Sequence, residues 1–578
     1  MNPRYIILLG KKPRHDSDAS SLLASRLRAE GMTCLLESSR IRLFASPDTP
    51  VLTLPGRGLL VGHLFTRNHE PVSRYRDVHE TTNDLVRHLL QNAWGQYLAV
   101  LVDDAGSTLS LLRDPSGAVP CVHSLDHGEG FVTSDASLAA CLGLHQREID
   151  WSSIAHSLNF PHLKTTRTAF RQLDELLPGN LLTCRADTTS IIPAWSPWDF
   201  VKVDVRHADP VEAAHDVRVA VSGVVEALSR GDDTPVAELS GGLDSSIVAA
   251  CLGRATTRAL FCTLVMPVAG TDERPYARMV TEALGQPLLA VKLDFEDVQF
   301  KFDVPRSSVL PVTGILQHAA NATWEAVARS HGASRFFSGA GGDSIFCYLK
   351  TAAPAADAFI ERGATAGLEA VRNLAELHQC TLWRAGKLAW RQLRGRSSFT
   401  WKADTTLLAN DGLVAKPRCH PWLDAPRHAM PGDRAKIRDL VATQLFLDAG
   451  SHGPDRTMHF PLLSQPVIEA CLKVPSWMWI QGGRNRAIAR DAFADMLPPG
   501  IIERRSKGSY TGYLAAVHAR SQQAMRQFLE EGLLCSQGIV DRQALAGFFQ
   551  RKLAPRDISF LRIFDLCAVE NWVRQQIQ

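Results

Sequence analysis

Long apolar runs are missing from this sequence. No stretch approaches the roughly 18 residues that a membrane-spanning helix needs, so no membrane partner is expected. A secretory leader carries its charges ahead of a longer apolar core. Here Lys11, Lys12 and Arg14 follow the short patch Tyr5 to Leu9, so that patch reads as a first strand. Charge of one sign is also lacking. A net +3 over 578 residues, with 21% charged and 45% hydrophobic residues, is ordinary for a soluble protein and excludes a general nucleic-acid or membrane-surface binder. The twelve cysteines form no C-x-x-C pair, so zinc is not expected and free thiols in a reducing cytoplasm are. No internal repeat or low-complexity segment is visible. No G-x-x-x-x-G-K-[ST] phosphate loop occurs, which excludes a kinase-type nucleotide site.

Two large domains are expected. The first third is β-rich, with strands at Leu59 to Phe65, Tyr97 to Val102 and Leu109 to Leu112, and turns at 103–106 and 113–117. Short, regular spacing predicts packed antiparallel sheets. A Trp/Pro stretch, 194–198, leads to a boundary between domains 1–200 and 205–578. Beyond it strand and helix alternate: a helix over Val211 to Leu228, a strand at Val236 to Leu239, a helix over Ser245 to Leu252, a strand over Leu260 to Met266 and a helix over Arg278 to Leu284. That alternation predicts a parallel α/β sheet, and the chain after about residue 350 reads as mostly helical. The basic, Trp-containing stretch Arg384 to Lys402 reads as a solvated helix face, with a contact to an acidic partner as the alternative.

The sharpest signal is Glu238-Leu239-Ser240-Gly241-Gly242-Leu243-Asp244-Ser245-Ser246, between a strand and a helix. Adjacent glycines let backbone N–H groups approach an anion, and the helix behind adds its positive end. Three serines supply hydroxyl donors. Asp244 puts a carboxylate in an anion site, which makes sense when Mg²⁺ bridges it to phosphate oxygens.

This string resembles the signature of the N-type ATP pyrophosphatases, which cleave ATP between the α- and β-phosphates. Downstream, Phe336-Phe337-Ser338-Gly339-Ala340-Gly341-Gly342-Asp343-Ser344 resembles the asparagine-synthetase motif S-G-x-G-x-D-E. The resemblance implies an ATP site of Leu239, Ser240, Gly241, Gly242, Leu243, Asp244, Ser245, Ser246, Thr263, Ser338, Gly339 and Gly341, with Asp244 and Asp343 sharing Mg²⁺. Ala340 departs from the pattern: asparagine synthetases carry glutamate there and β-lactam synthetases tyrosine, so the acceptor side differs. Thr271 to Ala277 resembles the family's D-E-x-x-Y-A segment, and reads equally as a capped helix start. Arg486 to Phe493, then Arg504-Arg505-Ser506-Lys507-Gly508, resembles the run ending in R-x-K-x-G, which implies that Lys507 faces an acyl-adenylate.

The first domain is similar to the glutaminase domain of the same family over 61–65, 94–97, 113–117 and 168–179. Relatives that use glutamine have a cysteine directly after Met1. Here Asn2 stands there, so a nonfunctional Ntn-hydrolase-like remnant is expected, with the amine supplied by the substrate or by solution. Glu376 to Trp383, His420 to Leu423 and Phe460 to Pro466 resemble lasso peptide macrolactam synthetases. That resemblance implies adenylation of an Asp or Glu side chain in a linear core peptide and attack by the peptide's N-terminal amine. It also implies a leader peptidase and a precursor-recognition protein as partners. No residue stands out as a general base: Asp448 and Glu376 are candidates that read equally as structural, and an amine with a pKa near 8 is already partly neutral. Alternatives are another AMP-forming ligase (β-lactam-synthetase-like, or an ammonia-using asparagine synthetase) and a noncatalytic peptide-binding scaffold.

Overall fold

The strand Tyr5–Leu9 is buried along its whole length because both its faces are covered. Tyr5, Ile7 and Leu9 enter a core between two sheets, while Ile6 and Leu8 belong to a separate core on the other side. In this computed structural model the described residues are 3–10, 18–38, 40–103, 106–185, 188–395, 401–410, 414, 416–449, 456–505, 508–554 and 556–577. Two six-stranded antiparallel sheets make the first domain. One runs in the order Asp174–Glu175, Val122–Asp126, Glu129–Thr133, Tyr5–Leu9, Ile41–Ala45, Thr33–Glu37. The other runs Thr188–Pro193, Asn180–Arg185, Thr108–Arg113, Ala93–Val102, Gly58–Thr66, Val51–Leu54. Val61, Val100, Leu111 and Leu182 face the shared core. Leu60, Ala99 and Leu112 alternate with them and share a core with the helix Thr82–Asn92. The outer face of the first sheet packs on Ala136–Cys141 and Trp151–Asn159. The order of layers is helix, sheet, sheet, helix.

The second domain holds five parallel strands in the order Leu288–Lys292, Leu260–Val265, Val236–Glu238, Arg335–Phe337, Thr457–His459. Helices Pro210–Ser229 and Leu243–Ala255 belong to one apolar core. Ile315–His331 brings Trp324, Val327 and Ala328 against Val236, Cys262 and Phe336 in another. Chain order reverses at Val236–Glu238, whose neighbours come from both sides of it in the sequence. The carboxyl ends of strands at such a switch point are where α/β folds bind ligands. Later residues are mostly helical, including Ala353–Leu377 (kinked at Gly363), Thr511–Glu530 and Leu561–Ile577. Helix Leu382–Arg394 carries the first part of the basic stretch and leaves Trp383 and Trp390 exposed, while 396–400 lie outside the described residues. Among the described residues no helix is long and apolar enough to cross a membrane.

The domains are joined by polar bonds as well as by a common apolar core. Trp195 Nε1 donates to Glu469 Oε1 at 3.1 Å, and Trp198 Nε1 to the Trp422 carbonyl at 2.9 Å. Arg67 pairs with Glu469 at 2.7 Å.

Candidate functional site

Two neighbouring strands end in glycine loops, and those loops are pressed together. A Cβ on Gly339 would lie 2.5 Å from Ser245 N and 2.7 Å from its Cα. A Cβ on Gly342 would lie 2.4 Å from both Cβ and Cγ of Asp244. Only glycine allows backbone to approach this closely. In the first loop Gly241 has φ +68° and backs onto Tyr276. The hydroxyls of Ser240 and Ser245 are 3.1 Å apart, and Ser240 N donates to Ser245 Oγ at 3.2 Å. Helix Leu243–Ala255 starts at Gly242 without a side-chain cap, so its first N–H groups remain available to an anion.

The loop contact brings the two aspartates together. Arg486 Nη1 lies 3.0 Å from Asp244 Oδ1, 3.0 Å from Asp244 Oδ2 and 3.0 Å from Asp343 Oδ1. Three carboxylate oxygens therefore converge on one cationic atom. Arg486 itself has φ +53°, in the left-handed region that non-glycine residues seldom enter, and its guanidinium sits 5.2 Å from the Tyr348 ring centroid. The donor set suits Mg²⁺, which takes hard oxygen ligands at about 2.0–2.1 Å and keeps waters or phosphates in its other positions. Arg486 must withdraw for such an ion to enter.

A cavity of about 820 Å³ opens over the loops. On one wall Arg504 donates to the Gly241 carbonyl at 3.0 Å and pairs with Glu273 at 2.7 Å, while stacking 3.5 Å over Tyr276. In the segment 271–277 helix Arg274–Ala283 starts at Glu273 without a side-chain cap, and Glu273 lines the cavity. On the sheet side stands Glu238. Burial pushes its carboxyl up, opposed by bonds to the Ser338 hydroxyl and the Trp324 indole. Ala340 presents only a methyl group where a larger side chain would take up space.

Leu239, Ser240, Gly242, Leu243, Asp244, Ser245, Thr263, Ser338, Gly339, Gly341 and Asp343 line this one cavity. Gly241 lies just behind it. Ser246 faces the interior, fully buried, and its hydroxyl has no hydrogen-bond partner among the described residues. Lys507 lies outside the described residues. Glu376 is exposed, with its side chain beside Gly483 and away from the cavity. Asp448 is also elsewhere. It lines an adjoining cavity of about 890 Å³ between the domains, which shares Met458 and Phe460 with the first. There Lys164 Nζ pairs with Asp448 at 2.7 Å and with Glu175 at 2.8 Å, and Arg113 holds Glu175 at 2.6 Å. Burial pushes the Asp448 carboxyl up despite Lys164. Burial also acts to raise Glu175, but Lys164 and Arg113 outweigh it and hold that carboxyl below its usual range. These four charges balance one another and tie the domains together, so neither candidate base stands at the acid pair.

Arg486, Arg504, Glu238 and Glu273 are the site residues that sequence reasoning left unassigned. Only their places within the quoted motifs hinted at them.

A family model described as asparagine synthase matches residues 216–574. No curated protein matches the chain. Among solved structures, an allosteric regulatory enzyme of purine biosynthesis is similar at 10% identity over 50% of this chain and 75% of its own, with a TM-score of 0.21. A glutamine phosphoribosylpyrophosphate amidotransferase from B. subtilis, complexed with ADP and GMP, is similar at 10% identity over 58% of this chain and 90% of its own, also at 0.21. Likenesses that weak add nothing to the layer order described above.

Proposed function

The chain belongs to the asparagine synthase family, and from that premise we propose that it closes a macrolactam ring in a linear peptide, with ATP cleaved to AMP and pyrophosphate. Family membership indicates an ATP-dependent amide-forming ligase. The observation that carries the reading of the site is the convergence of Asp244 and Asp343 on one cation at 3.0 Å, at the mouth of two glycine loops. ATP phosphates fit the N–H groups at the start of helix Leu243–Ala255 and the hydroxyls of Ser240 and Ser245. Mg²⁺ held by Asp244 and Asp343 would supply the charge that lets pyrophosphate depart. Arg486, which lines the cavity, would be free to meet phosphate charge once displaced from the carboxylates, and Arg504 holds the first loop through the Gly241 carbonyl.

The peptide's Asp or Glu side-chain carboxylate attacks the α-phosphorus and becomes an acyl-adenylate. The peptide's own N-terminal amine then attacks the acyl carbon, AMP leaves and the ring closes. Lys507, by its place in the R-x-K-x-G run, is assigned the charge developing in that step. Both reacting groups belong to one molecule, and holding them in register is worth roughly 7–11 kcal/mol in favourable cases. No strong base is required, because an α-amine with a pKa near 8 is partly neutral at physiological pH. That agrees with the absence of Asp448 and Glu376 from the cavity. Ala340 leaves room for a peptide where relatives carry a larger side chain. The choice of a peptide substrate rests on the resemblance over 376–383, 420–423 and 460–466. A leader peptidase and a precursor-recognition protein, acting in the cytoplasm, complete the proposal.

The adjoining 890 Å³ cavity favours a second reading, in which a separate small amine or ammonia reaches the adenylate. Incubation with ATP, Mg²⁺ and a linear peptide bearing a free N-terminus separates the two. Peptide that has lost one water, formed together with AMP, supports ring closure. AMP that appears only when ammonia or an added amine is present supports the second reading, and ADP contradicts both.

A further inference from the structure

Asp77, His79 and His88 form, among the described residues, the single group of three metal-ligating side chains within reach of one another, their ligand atoms all lying within 4.8 Å. The group is in the first domain and shares no residue with either cavity. Asp77 and His79 stand two residues apart in the irregular segment that precedes helix Thr82–Asn92, and His88 sits in the second turn of that helix. We propose that these three side chains bind a transition-metal dication of the Zn²⁺ class, which staples the segment to the helix.

The hydrogen bonds around the two rings carry the proposal. The Tyr75 hydroxyl bonds His79 Nε2 at 2.7 Å, which leaves Nδ1 to coordinate. Asn92 bonds His88 Nδ1 at 3.2 Å, and His88 Nε2 already faces Asp77 Oδ2 at 3.3 Å. Each imidazole thus has one nitrogen held by a neighbouring side chain and the other left for a metal, the arrangement that metal-bound histidines take. Metal at His88 Nε2 requires a proton on Nδ1, and the Asn92 amide turns over to accept it. Tyr75 is buried, so the partner that orients His79 is itself fixed. The loop backbone is held as well: the Arg57 guanidinium donates to the carbonyls of His79 at 3.1 Å and Glu80 at 2.5 Å. The imidazole rings lie 4.7 Å apart, and Asp77 closes the triangle. Asp77 and His88 already stand at 3.3 Å, so bonds of about 2.0–2.2 Å require the His79 nitrogen and the exposed Asp77 carboxylate to draw in from within 4.8 Å. Two imidazoles and one carboxylate select Zn²⁺, Ni²⁺ or Co²⁺ over Mg²⁺, so this site does not compete for the ion at the acid pair.

The full-length chain, stripped with chelator under reducing conditions, is titrated with Co²⁺ and followed by its visible d–d absorption, alongside a His79→Ala/His88→Ala variant. Co²⁺ bound through nitrogen and oxygen lacks the intense near-ultraviolet charge transfer of thiolate sites, which sets it apart from any of the twelve cysteines. The expected result is one equivalent lost in the variant, displaced by Zn²⁺ in wild type, with Asn92→Leu weakening it roughly 10- to 100-fold. Equal Co²⁺ binding by wild type and the double variant, or no d–d band in wild type, overturns the proposal. Circular dichroism checks that the variant is folded; if it is not, Asp77→Asn, which removes only an exposed ligand, decides by the same readout.

Discussion

Gly339→Ala places a methyl group at the point where the second loop bears on the first. The new Cβ would be 2.5 Å from Ser245 N, 2.7 Å from Ser245 Cα and 2.8 Å from the Asp244 carbonyl carbon. All three are backbone atoms, so no side chain can swing aside. Reaching ordinary contact near 3.4 Å requires the loops to part by most of an ångström. Overpacking of this kind costs about 1–3 kcal/mol. If nucleotide binding has to restore the spacing, that cost corresponds to a rise of roughly 5- to 150-fold in Kd. Turnover suffers further, because a displacement near 1 Å can cost about 100-fold in rate. Binding of α,β-methylene ATP with Mg²⁺, measured by calorimetry, is the assay, with circular dichroism as the control for folding. Unchanged affinity and turnover in a folded Gly339→Ala protein would refute the claim that loop contact builds the site.

Asp244→Ala and Asp343→Ala should each abolish turnover with the circular dichroism spectrum unchanged, and near-normal pyrophosphate release from either would remove the metal assignment. Lys164→Met strips the buried cation shared by Glu175 and Asp448. It should destabilise the protein by about 3–5 kcal/mol in chemical denaturation, and addition of Glu175→Gln should recover part of that loss. His420 donates from Nε2 to Gln444 at 3.0 Å and accepts at Nδ1 from Trp422 N at 3.1 Å, which suits only the neutral ring. Burial pulls its pKa from 6.5 down to about 4. The unfolded chain therefore takes up the proton first as pH falls, so this contribution is complete above pH 6.5 and drains away toward pH 4. At pH 5 the loss is about 2 kcal/mol. His420→Gln should lessen the drop in denaturation midpoint between pH 7 and 5, and an equal drop in both proteins would exclude His420 as its source.

The two glycine loops were legible as loops because their composition is local: glycines, serines and an aspartate lie within nine consecutive residues that follow a short apolar strand. The strands of the first domain were legible for a similar reason, since short apolar runs, buried on both faces, are closed by turn residues at 103–106 and 113–117. What the sequence hid was pairing over distance. Between a structural and a basic role for Asp448 its neighbours in sequence do not decide, because its partner Lys164 is 284 residues away, on the other domain. Arg486 meets Asp244 across 242 residues, and the motifs that hold them do not show that the two side chains touch. Thr457–His459 is too short for periodicity to reveal, although it completes the parallel sheet. Glu376 followed from a resemblance over a helix end, and that helix turns it outward.

The most direct test of the adenylation chemistry uses a linear peptide with heavy oxygen in its Asp or Glu side-chain carboxylate. After turnover with ATP and Mg²⁺, mass spectrometry of the nucleotide product should find AMP carrying one heavy oxygen, left behind when the amine displaces the acyl-adenylate. AMP without the label, or ADP in its place, would contradict carboxylate activation at this site.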